Sequence, residues 1–441
     1  MIPGPREWPL LGNPGALAGL IPFMERQRRQ YGDMFRMRVL SFRAVAISHP
    51  EQVQQVLVTE RGKYVKGNTY DSTRKVLGNS LLTLDREPWK KRRALAQPAF
   101  HRKALARLAE IMAQKGAQYF DALATRIGPS GSKLDAHREM VKLTLDVVVA
   151  ALFGEGALSG SDVSYEALND ALEVLSTGVN GFNFPDWIPT PHNVKLKKTV
   201  QALDRNVYQI IEAGKRMPSN GSLLSMLLEA RDEAGRPLTN EEIRDEVITL
   251  FIAGHETSAL TLAWLLTFLD GRPEVLAQMC EEVDQVLGGR TPSFDDVSKL
   301  QYVRQVIDET LRLRPAAPMI ARNLVEDDVL GGYSLRAGDV VIPYLWGLHR
   351  QPDYWSDPER FDPGRFSPGQ SKSRHPWSYL PFSGGPRVCI GNMFALTELV
   401  MLVAQLLTRF RVGVQPCADV RPIAIGTTRP SRPIWVMLKP R

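Results

Sequence analysis

Cysteine is scarce, with three in 441 residues. Three thiols cannot build a disulfide framework, a four-cysteine zinc site or a four-cysteine iron–sulfur cluster. So few are consistent with a reducing compartment. Long apolar runs are missing too. The most apolar stretch, 246–269, is broken by His255 and Glu256, which leaves no run of about 18 apolar residues to span a bilayer. The amino terminus lacks a charged-then-apolar leader, because Met1 is followed at once by Ile2-Pro3-Gly4-Pro5. The expectation is a cytoplasmic protein with no membrane span. Runs of five basic residues are absent despite a net charge of +7, so nucleic acid is not an expected partner. No Gly/Ser or acidic linker and no internal repeat divides the chain. It therefore reads as one domain, 1–441; a monomer is expected.

What is present is ordinary globular material: 44% apolar and 23% charged residues, enough for a large core. Helical periodicity dominates from about 50 to 315. It predicts helices over 50–60, 87–97, 101–125, 138–153, 164–177, 194–216, 221–230, 240–270, 273–287 and 300–314, and a last one over 392–410. Segment 178–193, with aromatics and prolines, reads as a loop. A strand pair is expected at 34–48, short strands at 319–324, 333–335 and 340–343, and a hairpin near Gly426 and Pro430. The fold class is mainly α with small β-sheets.

Thr239-Asn240-Glu241-Glu242 has the form of a capping box. The helix it opens runs to Asp270-Gly271 and is apolar nearly all round, so it should be buried at the centre. In its middle stands Ala253-Gly254-His255-Glu256-Thr257-Ser258. Positions 253, 254 and 257 share a face of small side chains and one hydroxyl. A flat ligand could approach there, with Glu256 beside Thr257 to pass protons. The plain alternative is a helix–helix contact, with Thr257 bonded back to a carbonyl.

Phe382-Ser383-Gly384-Gly385-Pro386-Arg387-Val388-Cys389-Ile390-Gly391 is the most informative segment. A rigid Gly/Pro turn delivers Cys389 to a helix start, where the N–H groups of residues 390–392 and the helix dipole favour a thiolate. A thiolate so placed is a good axial ligand for haem iron. Gly391 allows close approach, Phe382 could cover the sulfur, and Arg387 could pair with a propionate. Cys280 and Cys417 read as structural thiols.

This segment resembles the haem loop of the cytochrome P-450 family, Phe-x-x-Gly-x-Arg-x-Cys-x-Gly, with Ser383 where many members have Gly. Residues 253–257 resemble the family's Ala-Gly-x-x-Thr oxygen-binding stretch. Glu309-Thr310-Leu311-Arg312 matches its Glu-x-x-Arg, Pro358-Glu359-Arg360-Phe361 its Pro-Glu-Arg-Phe, and Trp89 with Arg93 its Trp-x-x-x-Arg. All occur in the family's order over nearly the whole chain. The pattern is most similar to soluble bacterial members of the fatty-acid hydroxylase and microsomal-like type.

The resemblance implies the cytochrome P-450 fold, with haem b held by the Cys389 thiolate and dioxygen as co-substrate. Trp89, Arg93, Arg322 and Arg387 would meet the propionates, and Ala253, Gly254, Phe382 and Gly391 would contact the macrocycle. Glu256 and Thr257 would deliver protons. Glu309, Arg312 and Arg360 would form a structural ion triad. Basic residues of 90–93 turned away from haem would give a proximal face for an acidic electron donor, a ferredoxin with its reductase or a flavodoxin-type protein. Leu81, Leu82, the segment Val179 to Trp187, Ala253, Thr257, Ala317, Met319, Ile320 and Ile425 would line an apolar pocket for a lipophilic small molecule. Phe42 and Ala46 stand where the fatty-acid hydroxylases carry an arginine and a tyrosine. A terpenoid, steroid or polyketide-like substrate therefore stands beside a fatty acid. The expected activity is hydroxylation or epoxidation by an oxygen-using monooxygenase. A peroxide-using enzyme, a non-catalytic haem gas sensor and a purely structural helical module are the alternatives.

Overall fold

The computed structural model describes residues 1–40, 42–154, 187–216, 221–232, 234–417 and 419–441. The helix expected over 164–177, and the loop expected over 178–193 up to residue 186, lie outside the described residues.

The fold is organised by the helix Asn240–Leu269, of 30 residues, about 45 Å long. Its start is fixed as the sequence implies. The Glu242 N–H donates to Thr239 Oγ1 at 3.2 Å, and the Thr239 N–H donates to Glu242 Oε2 at 2.9 Å. Both are donors or acceptors that a helix end would otherwise leave orphaned. At its far end Gly271 turns the chain at φ 67°, and a new helix starts at Pro273. By length and composition this helix could cross a bilayer, yet 78% of its apolar window is buried in protein. It is a core helix.

Against it pack Ala136–Phe153, Pro191–Arg216, Gln301–Leu313 and Asn392–Arg409, with Arg102–Ile127 behind Ala136–Phe153 and Asn392–Arg409. Their buried Leu, Val, Ile and Phe side chains form one continuous core. Pro191–Arg216 begins three residues before the expected start, with proline at the position where its missing N–H costs nothing. Segment 50–60 is helical but changes to a wider π turn at Gln55–Thr59.

The strand pair Met34–Val39 and Phe42–Ile47 is antiparallel, with Met34 opposite Ile47. It is extended by Val340–Pro343, parallel to Phe42–Ile47, then by Arg322–Leu324 and Tyr64–Val65. Only Arg322–Leu324 of the expected strand 319–324 is in the ladder. A second sheet joins Ser132–Asp135 to Trp435–Pro440 and Phe410–Val414. The hairpin Pro422–Ile425/Thr427–Pro430 turns at Gly426, whose φ of 69° suits glycine.

Candidate functional site

The cysteine loop is a tight, self-bonded turn. The Cys389 N–H donates to Phe382 O at 3.0 Å and the Val388 N–H to Gly385 O at 3.1 Å. Gly385 adopts φ 67°, and a Cβ there would lie 2.7 Å from Leu57 O, so only glycine fits. Ser383 takes φ 63° without being glycine, a strained conformation. This is the position where glycine is usual in the resembling family. Cys389 is an exposed residue, yet protein crowds its thiol closely enough that burial pushes it above its ordinary pKa, opposed by the Gly391 N–H and by nearby Arg93. The expected pull of three helix-start N–H groups toward thiolate is thus outweighed by desolvation. Such a thiol ionises when a cation takes its proton's place.

One edge of the site gathers cations. Arg387 donates to Leu84 O at 2.8 Å, pairs with Asp85 at 2.9 Å and lies 4.0 Å over the Trp89 ring. Trp89 therefore serves as a platform for Arg387. Arg93 donates to Val388 O at 2.8 Å, directly beside Cys389. Arg322 is buried and donates to Ala321 O at 2.8 Å. Lys66, which the sequence reading missed, is buried with its ammonium on Leu82 O and 4.9 Å over Tyr70. Burial, then Arg322 and Arg387, force its pKa well down, against the pull of Asp85. Among the described residues Lys66 and Arg322 make no ion pair. Three cations sharing one carboxylate are costly unless further anions meet them. Nothing local marks Lys66 as special, because its partners arrive from residues 85, 322 and 387.

The four basic residues 90–93 divide. Lys90 and Lys91 are exposed. Arg92 is not an outward charge: it is buried against the central helix, bonded to Glu246 at 3.0 Å and Glu242 at 2.8 Å. Glu246 also accepts the Leu81 N–H at 2.7 Å. That bond ties the expected wall residues Leu81, buried, and Leu82, exposed, to the central helix.

The small-residue face of the central helix splits as well. A Cβ on Gly254 would lie 3.2 Å from Val148, so Gly254 serves close packing against Ala136–Phe153 and does not face a ligand. Successive residues sit about 100° apart on a helix, and this rotation carries Gly254 off the face of Ala253. Ala253 is exposed and Thr257 half-buried in the middle of this otherwise buried helix. Thr257 Oγ1 donates to Ala253 O at 2.8 Å. Next to it, Glu256 is buried, and its Oε1 accepts from Arg429 Nε at 2.6 Å and Thr427 Oγ1 at 3.2 Å. One residue on, Ser258 hydrogen-bonds Glu398 of the helix that follows Cys389. That bond registers the two helices.

Thr428 knots the remaining walls. It is fully buried; its Oγ1 donates to Pro315 O at 2.6 Å, its N–H to Ala316 O at 2.9 Å, and its carbonyl accepts Trp264 Nε1 at 2.8 Å. Ala317 and Ile425, half-buried, are thereby held beside the central helix. Met319 and Ala424 both pack against the core cluster around Phe35 and Tyr344, and Ile320 packs on the sheet core. Of the segment Val179 to Trp187, only the exposed Trp187 is described.

Glu309 and Arg312 are completely buried and bidentate, at 2.6 and 2.8 Å. Arg312 also donates to the carbonyls of His349, Pro358 and Arg360. The expected third charge is wrong. Arg360 gives only its carbonyl, because Phe361 turns inward to stack on Phe268 at 4.5 Å and Arg360 points out. Arg365 supplies the cation, 3.5 Å from Glu309. His349, also missed, is fully buried. Its Nδ1 meets Arg312 O at 3.2 Å and its Nε2 accepts the Leu380 N–H at 2.9 Å. The buried ion pair is thus wired, through His349 and Leu380, to the irregular segment leading into Phe382.

Among the described residues no cluster of three or more His, Cys, Asp or Glu could hold a metal ion. The arrangement instead offers an exposed cysteine, a cationic edge with more cations than carboxylates and an apolar helix face with a hydroxyl. This set fits a flat, dianionic, iron-bearing ligand. The comparisons agree. The Cytochrome P450 family model matches residues 2–437. The chain is 33% identical to cyclooctat-9-en-7-ol 5-monooxygenase of Streptomyces melanosporofaciens over 94% of this chain and 92% of that one. It is 32% identical to pentalenene oxygenase of Streptomyces avermitilis, covering 93% and 91%. The crystal structure of the cytochrome P450DA heme domain superposes with a TM-score of 0.90 at 27% identity, covering 100% of this chain and 98% of that chain. With its sulfur loop, buried ion pair and central helix in these places, the chain belongs to the cytochrome P450 family of haem monooxygenases.

Proposed function

We propose that the protein is a haem-thiolate monooxygenase that hydroxylates or epoxidises a lipophilic, terpenoid-type molecule. The carrying observation is Cys389, an exposed residue in a closely packed loop at the start of a buried helix. Cys389 would hold the haem iron through its sulfur, Phe382 and Gly391 would flank it, and Lys66, Arg322, Arg387 and Arg93 would neutralise the propionates. Bound haem would supply the activation of dioxygen, with two electrons from a separate donor. This chain's residues do the rest. Ala253 leaves room over the central helix, and Thr257 Oγ holds a hydrogen bond near the reacting oxygen. Glu256 is the acid, and Leu81, Ala317, Met319 and Ile425 exclude water.

Two relatives named for oxidising cyclooctat-9-en-7-ol and pentalenene support the terpenoid reading over a fatty acid, as does the lack of a cation at Phe42. Exposed Lys90 and Lys91 suit an acidic ferredoxin or flavodoxin-type donor. We read the chain as one domain, working as a monomer in the cytoplasm.

The test is the spectrum of reduced protein under carbon monoxide, for wild type and Cys389→Ala. A strongly red-shifted Soret band, lost in the variant, supports thiolate ligation; an ordinary haem band in wild type refutes it. Reductant-dependent oxygen consumption then separates an enzyme from a gas sensor. A panel of cyclic alkenes and fatty acids, scored by product, decides the substrate class.

A further inference from the structure

Resting on that reading, we propose that Arg429 is a positioning residue for proton delivery, clamping the Glu256 carboxylate to the hairpin 422–430 until it is needed beside Thr257. Two guanidinium nitrogens of Arg429, Nε and Nη2, and the hydroxyl of Thr427 all aim at one oxygen, Oε1 of Glu256. The second oxygen receives none of these bonds. Such charge-assisted contacts are about twice as strong as neutral ones. They point the acid toward the hairpin, away from its neighbour on the helix.

The clamp is built on a firm base. Thr428, between the two clamping residues, is immobilised by its three bonds to Pro315, Ala316 and Trp264. Ile425, opposite Thr427 across the turn, belongs to the proposed pocket wall. Acid holder and pocket wall are therefore one rigid piece.

Other elements face the same carboxylate. His137, at the start of Ala136–Phe153, is within electrostatic reach of Glu256, Arg429 and Asp135. Its Nε2 is buried without a hydrogen-bond partner among the described residues. His255, on the central helix itself, feels Glu256 and Arg429 too, with its Nδ1 on Phe251 O at 2.8 Å. The cycle balances in protons. The carboxylate leaves Arg429, takes one proton from bulk solvent, releases that proton on the Thr257 side and returns to Arg429, so each cycle carries one proton from solvent to the reacting side. Thr257 donates its own hydrogen to Ala253 O, so its lone pairs are free to accept.

The experiment uses full-length protein and two readouts. The first needs no turnover: the imidazole of His137 is titrated by NMR in wild type, Arg429→Gln and Glu256→Gln. Losing the cation should raise its pKa by about half a unit or more, and losing the carboxylate should lower it. The second drives the haem-loaded protein with a surrogate ferredoxin system, and measures peroxide released per oxygen consumed between pH 6 and 9. Arg429→Gln should change this ratio severalfold and shift its pH profile, and Arg429→Lys should restore most of the wild-type behaviour. If Arg429→Gln does not fold, Thr427→Val carries the comparison through the peroxide ratio, with a smaller change in the same direction. A wild-type His137 titration and an unchanged peroxide profile in the folded variants, with the thiolate band intact, would overturn this proposal alone. Absence of that band in wild type would overturn it together with the haem-thiolate reading.

Discussion

Acid should loosen this protein through His349. The imidazole is fully buried, and burial, reinforced by Arg312 and Arg350, lowers its pKa from 6.5 to about 3. A histidine kept neutral in the fold contributes its full stability above the unfolded pKa. That contribution is lost as pH falls from 6.5 toward 3, because only the unfolded chain binds the proton. Between pH 7 and pH 5 the loss is ~2 kcal/mol from this one group. Two buried carboxyls act in the opposite sense: Glu398 and Glu246 are raised to about 8 and about 7 by burial, and both gain protons in the fold on acidification. The raw wild-type slope therefore mixes signs, and a paired variant isolates the term. His349→Gln keeps a donor for Arg312 O and an acceptor for the Leu380 N–H but cannot titrate. Urea unfolding at pH 7 and pH 5, followed by tryptophan fluorescence, should show wild type losing ~2 kcal/mol more than the variant. At an m-value of about 3 kcal/mol/M that is roughly 0.7 M in midpoint. Parallel losses in the two proteins would refute the reasoning.

Arg365→Ala removes the ion-pair contact to buried Glu309 and a 2.9 Å bond to Asp357 O, and should cost ~1–3 kcal/mol in thermal unfolding. Arg360→Ala, on an exposed side chain, should stay within about 0.5 kcal/mol. Gly254→Leu drives a side chain into Val148 and should cost ~1–3 kcal/mol. Ala253→Leu, on an exposed position of the same helix, should leave the melting temperature nearly unchanged while weakening the binding of an azole probe. Lys66→Met relieves crowding with Arg322 and Arg387. The haem-free protein should melt no lower than wild type, while haem titration should show about tenfold weaker binding, the equivalent of one charge-assisted hydrogen bond.

Chemistry that is local in the chain was legible in the sequence. The capping box at Thr239, the stop at Gly271, the cysteine turn and the hairpin at Gly426 each need only a few adjacent residues, and each stands where expected. Roles set by distant partners were not. Gly254 and Ala253 are indistinguishable small residues until Val148 covers one of them. Arg92 and Lys91 are neighbours of one charge, parted only by where Glu246 lies. The third cation on Glu309 depends on which way the turn at 357–361 rolls, and the inward stacking of Phe361 decides it for Arg365. Lys66, His349 and Thr428 carried no motif, since the hydrogen-bond partners that place them lie from 16 residues away, for Lys66 and Leu82, to 164, for Thr428 and Trp264. The thiol of Cys389 shows the same limit in energy: N–H groups and a dipole are visible in a sequence, while the desolvation that outweighs them is a property of the packed fold.

The knot at Thr428 bears on how the molecule is made. Its bonds close loops of 113 residues to Pro315 and 164 residues to Trp264, contacts whose entropy must be met before they give any return. Helices of local sequence can form as the chain emerges, and so can the turn that carries Cys389. The wall that completes the pocket cannot, because it waits for a segment synthesised well after the elements it packs on. Newly made chains will therefore pass through a stage in which the sulfur loop is built but the cavity is open on one side. At that stage a large flat ligand has its widest door.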